Sequence, residues 1–476
     1  MVFAGVITGP DFVDGLRLVE RELMLFALVW FLIGIIDEGA IDVIWAVMRF
    51  SGRMATPRIA TMPAEGALAG PMAVFVPAWR EAEVIGATIA HMLYVWRDPG
   101  LTLYVGCYAN DPATIDAAMA AGADSRLRIV IHDQQGPTTK ADCLNRLFTA
   151  LRDDEARRGV RYRGVVLHDA EDMVHPLALR VIDQGLDEAD LVQLPVRPEL
   201  PAGLHWVAGH YADEFTESHA KALRVRDALG AGVPAAGVGV GIARDMLDRI
   251  AGLRAPSHAR RGDDATAPFA YESLTEDYEI GMLIHRAGGR TAFVRVRDGD
   301  GALVATRSYF PGTLATAVRQ KSRWIHGISL QAWDRLGWDP RPIEVWMAMR
   351  DRKGPLAALV LMAGYTLMAL ELGLTAVRET GLADVGVADP TLSVLMQLCA
   401  LGLFWRAAMR AVFVGREYGW GEGLLAVARI PVANAVTIMA ARRALGAYWR
   451  ALRGGAIAWD KTVHREHPAM AMAVAG

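Results

Sequence analysis

Between Pro355 and Val377 the chain places one charge, Glu371, in 23 residues. As a helix rising ~1.5 Å per residue, such a stretch crosses a hydrocarbon core of about 30 Å. The fold must therefore place part of this sequence in a membrane. Three further apolar blocks accompany it. One runs from Met24 to about Met48, interrupted by Asp37, Glu38 and Asp42, and another from about Val385 to Val414, interrupted by Arg406 and Arg410. The last, Gly423–Ala441, contains Arg429, Pro431 and Asn434 and ends in Arg442-Arg443. That block reads as an interfacial or re-entrant helix rather than a span.

Composition bounds the remainder. Of 476 residues, 53% are hydrophobic and 22% charged, so the apolar excess is concentrated and a water-facing domain remains. A net charge of −3 gives no support for non-specific nucleic-acid binding. Cys107, Cys143 and Cys399 lie far apart without metal-ligand spacing and read as small buried hydrophobes in a reducing compartment. Residues 1–22 are net acidic, so no cleavable signal peptide is expected. Basic residues follow the first block (Arg49, Arg53, Arg58) and precede the second (Arg341, Arg350, Arg352, Lys353). By the positive-inside rule the N-terminus lies outside, with residues 54–350 and the C-terminus inside. Charges within spans are costly, and Asp37 and Glu38 are expected to pair with Arg406 and Arg410. The alternative is a first span that ends at Ile36.

Residues 71–300 alternate short apolar runs with helical patterns. Candidate strands are Ala73–Val76, Leu101–Cys107, Arg128–Ile131, Val165–Leu167 and Leu191–Leu194. Candidate helices include Glu81–Trp96, Pro112–Ala121 and Thr139–Arg152. Alternation of this kind predicts an α/β fold, a mostly parallel sheet with helices on both faces and ligands at the carboxyl ends of its strands. The expected division is an N-terminal segment with the first span (1–53), an α/β domain (54–312), an amphipathic interface helix (313–350), two spans (351–415) and a re-entrant helix with a tail (416–476).

The strand ends carry the chemistry. Val76-Pro77-Ala78-Trp79-Arg80-Glu81 follows the first strand, Asn110-Asp111 the second and His168-Asp169-Ala170-Glu171-Asp172 the fourth. Asp169, Glu171 and Asp172 put three carboxylates in four residues, a donor set that suits Mg²⁺ or Mn²⁺ bridging a diphosphate. The alternative for such a cluster is a solvated loop. Asp277, in Thr275-Glu276-Asp277, opens a helical pattern to Ala287, and is the candidate general base. Its structural alternative is a first-turn acid behind a Thr275 cap. Gln320, Arg323 and Trp324 lie on the pattern Thr313–Leu336, where Arg323 can grip a diphosphate and Trp324 can wall an acceptor sugar. Their alternative is an amphipathic helix at a lipid surface.

In this order the motifs resemble the processive, membrane-integrated family 2 glycosyltransferases, the group of cellulose, chitin and hyaluronan synthases. The resemblance covers roughly residues 70–335 and implies a GT-A-like mostly parallel sheet flanked by helices, plus about three transmembrane helices and amphipathic interface helices. It assigns Asp169 and Glu171 to the D-x-D element, with Glu171 or Asp172 as the second metal ligand. Asp277 becomes the base of T-E-D, beside Glu276, and Gln320, Arg323 and Trp324 become Q-x-x-R-W on the acceptor and diphosphate side. Asp111 falls near the donor base. Lys140, in Lys140-Ala141-Asp142-Cys143-Leu144-Asn145, falls in the donor-site segment, with Thr139 where Gly is usual. Pro77 and Glu81 complete the donor side. More narrowly the chain resembles the transferase part of the phage N4 adsorption protein B family, through Asn110–Thr114, His168–Asp172, Ile36-Asp37-Glu38 and Trp459-Asp460-Lys461-Thr462. The cyclic di-GMP-sensing domain of that family's longer members is expected to be missing here.

The resemblance implies an inverting, metal-dependent transferase (Mg²⁺ or Mn²⁺) in a bacterial inner membrane. It would move a sugar from a UDP-sugar to a growing exopolysaccharide on the cytoplasmic face. Alternative readings are a polyprenyl-phosphate monoglycosyltransferase acting on a lipid-linked acceptor and a non-catalytic export or phage-receptor scaffold. Expected partners are the donor, the acceptor, membrane lipids and either an outer-membrane export protein or a second copy; nucleic acid is not expected.

Overall fold

The computed structural model describes residues 9–59, 68–262, 264, 266–379 and 390–454. The Trp459–Thr462 motif, the Ala-rich tail and residues 385–389 of the third apolar block lie outside the described residues.

Helix α1 (Gly9–Phe50) runs unbroken through Asp37, Glu38 and Asp42. The α/β domain follows in order: β1 (Met72–Pro77), α2 (Ile85–Val95), β2 (Leu101–Tyr108), α3 (Pro112–Ala120), β3 (Leu127–His132), α4 (Lys140–Arg158), β4 (Gly164–Leu167), α5 (Ala178–Gly185), β5 (Leu191–Gln193), β6 (Val196–Glu199), α6 (Trp206–Glu217), α7 (Leu223–Ala228), β7 (Val240–Ala243), α8 (Arg244–Arg261), α9 (Glu276–Arg286), β8 (Thr291–Phe293) and β9 (Thr306–Tyr309). Then come α10 (Leu314–Trp324), α11 (Ala332–Leu336), α12 (Pro342–Arg352), α13 (Gly354–Glu379), α14 (Pro390–Tyr418), α15 (Trp420–Ala428) and α16 (Ile430–Leu452).

All residues of β1 and β2 are buried, as expected of strands covered on both faces by helices. Seven strands form one sheet in the order β3-β2-β1-β4-β7-β5-β8. Every neighbouring pair is parallel except those made by β7, which runs antiparallel to both β4 and β5. A second, two-stranded parallel sheet pairs β6 with β9. The chain builds outward from β1 through β2 to β3, then crosses back to place β4 on the other flank of β1. The switch point therefore falls between the carboxyl ends of β1 and β4, where such sheets bind ligands. The expected strands are all present within a residue or two. The small sheet and the antiparallel β7 were not expected.

Three helical stretches, Leu18–Phe50, Gly354–Gly373 and Pro390–Tyr418, are long and apolar enough to cross a membrane. Helix α1 packs against both α13 and α14. Small residues allow the approach, with Gly364 facing Phe31 and Gly402 facing Ile35. The fourth apolar block is a pair of helices, α15 and α16, bent by 50°. Arg429 stands at the bend, 2% exposed, its guanidinium donating to Asp213 (2.6 and 2.9 Å) and Glu422 (2.8 Å). The arginine that interrupts the apolar pattern thus pins the bend to α6.

The acids of α1 have partners, though not mainly the expected ones. Asp37 bonds Arg350, Trp346 Nε1 (2.8 Å) and Lys353 (3.3 Å), and Glu38 bonds Arg350 (2.9 Å) and Lys353 (2.8 Å). Arg406 reaches Glu38 only at 3.7 Å and pairs closely with Glu217 (2.6 Å). No ion pair joins Arg410 to either acid among the described residues. The expected Glu38–Arg406 pair is thus present but long, and Arg350 is the closer partner because α12, which bears it, ends against α1 before α13 begins. Deeper in, Asp42 bonds Lys221 and Trp405 Nε1 (2.8 Å), and Lys221, 1% exposed, also bonds Glu217 (2.7 Å). Lys221 lies in a π-helical turn, Ser218–Ala222, that joins α6 to α7.

Candidate active site

Strands β1 and β4 stop side by side, with Phe75 in register with Leu167. Beyond β1 the chain turns at Arg80, whose φ of 55° is left-handed. Two side chains hold this turn: Asp111 Oδ2 accepts from Arg80 N–H (2.6 Å) and Thr114 Oγ1 from Glu81 N–H (2.9 Å). Beyond β4, Asp172 Oδ2 accepts from Asp169 N–H (2.9 Å) and lies 2.9 Å from His168 Nδ1. Both His168 and Asp172 are buried, at 0% and 1% exposure. Burial lowers the pKa of His168 to about 3, and burial with the charges of Asp169 and Glu171 pushes Asp172 well above the carboxylate range. Asp172 braces the turn from within, and Asp169 faces the cleft.

Helix α4 begins beneath this turn. Thr139, in the position of the family's usual glycine, caps it by accepting from Asp142 N–H (3.2 Å). Lys140 is its first residue, with Nζ 2.5 Å from Asp169 Oδ1. On the far side, Glu276 and Asp277 open α9. Thr275 precedes them but makes no side-chain cap, which removes its expected capping role. Asp277 Oδ1 accepts from Tyr278 N–H (2.8 Å). Its other oxygen lies so near Gly237 (φ +74°) that a Cβ there would stand 2.5 Å from it and 3.2 Å from Lys140 Nζ. One ammonium thus sits between the acid after β4 and the acids of α9. Burial opposes charge on Lys140, but Asp169, Glu276 and Asp277 outweigh it and hold the ammonium above its ordinary range. Burial, then the adjacent Asp277, push Glu276 up to about 7, and burial raises Asp277 as well.

The third wall comes from α10 and the π-helical turn Ile325–Gln331 that extends it. Gln331 takes Leu274 N–H (3.0 Å) and donates to Glu272 O (2.8 Å), fixing the loop before Thr275. Gly327 approaches Thr275 so closely that a Cβ would meet it at 2.5 Å. Trp324 joins an aromatic group with Tyr211, Phe215 and Phe310, ring centroids 4.9 to 6.1 Å apart.

These walls enclose a cavity of about 450 Å³, within the usual range for small-molecule sites. Pro77, Glu81, Lys140, Asp169, Glu171, Asp172, Glu276, Asp277, Gln320, Arg323 and Trp324 all line it. Asp111 does not. One oxygen of its carboxylate supports the Arg80 turn, which forms part of the wall. Sequence reasoning did not single out Phe215, Ser218, His219, Arg226, Phe310 or Asp351, which line the same cavity. They belong to no spaced motif, and only the fold brings α6, α7, β9 and α12 together. Trp79, also in the lining, was visible as the aromatic of the segment after β1.

The donor chemistry fits a divalent cation. Asp169 and Glu171 offer hard oxygens at a strand end, and Mg²⁺ or Mn²⁺ binds through one or two carboxylates and completes its shell with water and phosphate. Among the described residues no three His, Cys, Asp or Glu side chains converge on one point.

A mostly parallel sheet with a switch point and carboxylates at its strand ends is the arrangement of a GT-A glycosyltransferase. The chain belongs to the glycosyltransferase-like family 2, whose model matches residues 69–327. It is 33% identical over 478 aligned residues to bacteriophage adsorption protein B of Escherichia coli K12 and, equally, to bacteriophage N4 adsorption protein B of Escherichia coli O157:H7. Each match covers 94% of this chain and 62% of the relative, so the chain spans less than two thirds of those proteins. Among solved structures, a mannosyltransferase from Pyrobaculum calidifontis, in complex with GDP-Man and Mn²⁺, has a TM-score of 0.51 at 17% identity, covering 89% of this chain and 99% of that one. It shares the fold.

Proposed function

We propose that this cleft transfers a sugar from a UDP-sugar to the growing end of an exopolysaccharide at the inner face of a bacterial inner membrane, with inversion at the anomeric carbon. The observation that carries this reading is the placement of Asp277 across the same cavity from Lys140 and Asp169. Donor and acceptor sites then meet at one point. Asp277 takes the proton of the acceptor hydroxyl, whose oxygen attacks the anomeric carbon from the face opposite the leaving group. The bond from that carbon to the diphosphate breaks, and the diphosphate leaves toward Lys140 and Arg323. Asp169 and Glu171 are the residues that would hold Mg²⁺ or Mn²⁺, which supplies charge neutralisation for the departing diphosphate. Asp172, whose Oδ2 already has two inward partners, orients Asp169. Trp324 with Phe215 and Phe310 forms an apolar wall on which a sugar ring can stack.

The likeness to the phage adsorption proteins supports an envelope-polysaccharide role, since a phage adsorbs to material at the cell surface. Membranes carrying the protein, given labelled UDP-sugars, should make a polymer that a glycan-degrading enzyme shortens. A second reading has one observation in its favour: the cavity reaches Asp351, three residues before α13, where a lipid-linked acceptor would enter. A solvent-extractable monoglycosylated lipid as sole product would establish that reading instead.

A further inference from the structure

We propose that Lys140 is a resident counter-cation that masks Asp169, so that the divalent ion loads together with the donor diphosphate and not before it. The inference rests on the reading of Asp169 and Glu171 as metal ligands. Three observations carry it. Lys140 Nζ lies 2.5 Å from Asp169 Oδ1, an oxygen that this reading assigns to the ion. An ammonium and a dication cannot share that oxygen without strong repulsion at such a distance. The same ammonium faces Glu276 and Asp277, so it is held by charge from both walls and has nowhere more favourable to go in the absence of another anion. Finally, among the described residues no cluster of three ligating side chains can hold the ion without outside oxygens.

An incoming diphosphate changes this balance. It brings negative charge that can draw the ammonium off Asp169, because lysine has a flexible stem whose root is fixed at the capped start of α4. It also brings the missing oxygens. Metal and nucleotide are therefore coupled, and each strengthens the binding of the other by the same factor.

The test uses the purified full chain in detergent, with Mn²⁺ binding read from the EPR signal of free Mn²⁺, with and without UDP. For the unaltered protein the account predicts weak binding alone and binding at least about tenfold tighter with UDP. Lys140→Met should bind Mn²⁺ at least about tenfold more tightly than the unaltered protein when UDP is absent, and UDP, which still brings its oxygens, should add less than it adds to the unaltered protein. Lys140→Arg, which keeps the charge, should behave like the unaltered protein and show that the change follows charge and not misfolding. A Lys140→Met protein that unfolds at the normal temperature and binds Mn²⁺ no more tightly than the unaltered protein would overturn the masking role. If Asp169→Asn binds Mn²⁺ with UDP as well as the unaltered protein does, the metal-site reading itself fails, and the masking role with it.

Discussion

Tyr278 donates its hydroxyl hydrogen to Asp351 Oδ2 at 2.8 Å, joining the residue directly after Asp277 to the one three positions before α13. Arg226 grips the same carboxylate at 2.7 and 3.0 Å. The helix that carries Asp277 is thereby fastened to the start of α13. Tyr278→Phe keeps the ring and loses this bond. It should lower kcat roughly tenfold while leaving UDP affinity unchanged, since a small displacement of a reacting group is costly. Steady-state kinetics beside UDP titration checks this, and a variant with unaltered kcat would show that the tie does not position Asp277.

The acids of α9 set a pH dependence. Glu276 is pushed up to about 7 and burial raises Asp277 as well, so the pair holds a proton to higher pH than free carboxylates do, and a base role for Asp277 weakens as pH falls. For the free enzyme, kcat/KM should rise with pH, its rising limb displaced above the ordinary carboxylate range. Glu276→Gln removes the like charge next to Asp277 and should move the rising limb to lower pH. A limb that stays in place would assign it to another group.

Gly237 tests the crowding around Asp277. With φ +74° and a Cβ position 2.5 Å from the carboxylate, Gly237→Ala strains the backbone and displaces Asp277 together. We expect transfer to fall at least about tenfold with donor binding retained. Normal turnover would mean that the loop yields without moving the acid.

Lys221 tests the link between the long apolar helices and the α/β domain. It is 1% exposed and bonded to Asp42 and Glu217. Lys221→Met leaves both acids buried beside it and should cost about 3 kcal/mol. Unfolding in detergent micelles should show a clearly lower midpoint. An unchanged midpoint would mean that Arg406, 2.6 Å from Glu217, carries the network alone.

The sequence revealed β1 to β5 because covered strands read as short apolar runs, and the acids that follow them stand out against those runs. It did not reveal β7, whose Val240-Gly241-Ile242 run is short, contains glycine and passes directly into α8. The direction of β7 is a tertiary property that no local pattern encodes. The same limit explains Asp37 and Glu38. Periodicity shows that they lie in a helix, but the face they present depends on where α12 docks, and Arg350 proved to be the partner. Asp111 looked like its neighbours at the other strand ends. Its bond to Arg80 N–H, which fixes the turn after β1, is a tertiary contact that no local pattern announces.

The central claim is that Asp277 and the Asp169–Lys140 pair form one transfer site. Its most direct test is release of the nucleoside diphosphate by the purified protein, supplied with Mn²⁺ or Mg²⁺, an acceptor-containing membrane extract and a panel of nucleotide sugars. The account predicts release with one donor, abolished by chelation and reduced at least about a hundredfold by Asp277→Asn. Release that survives Asp277→Asn, or no release from any donor, would contradict it.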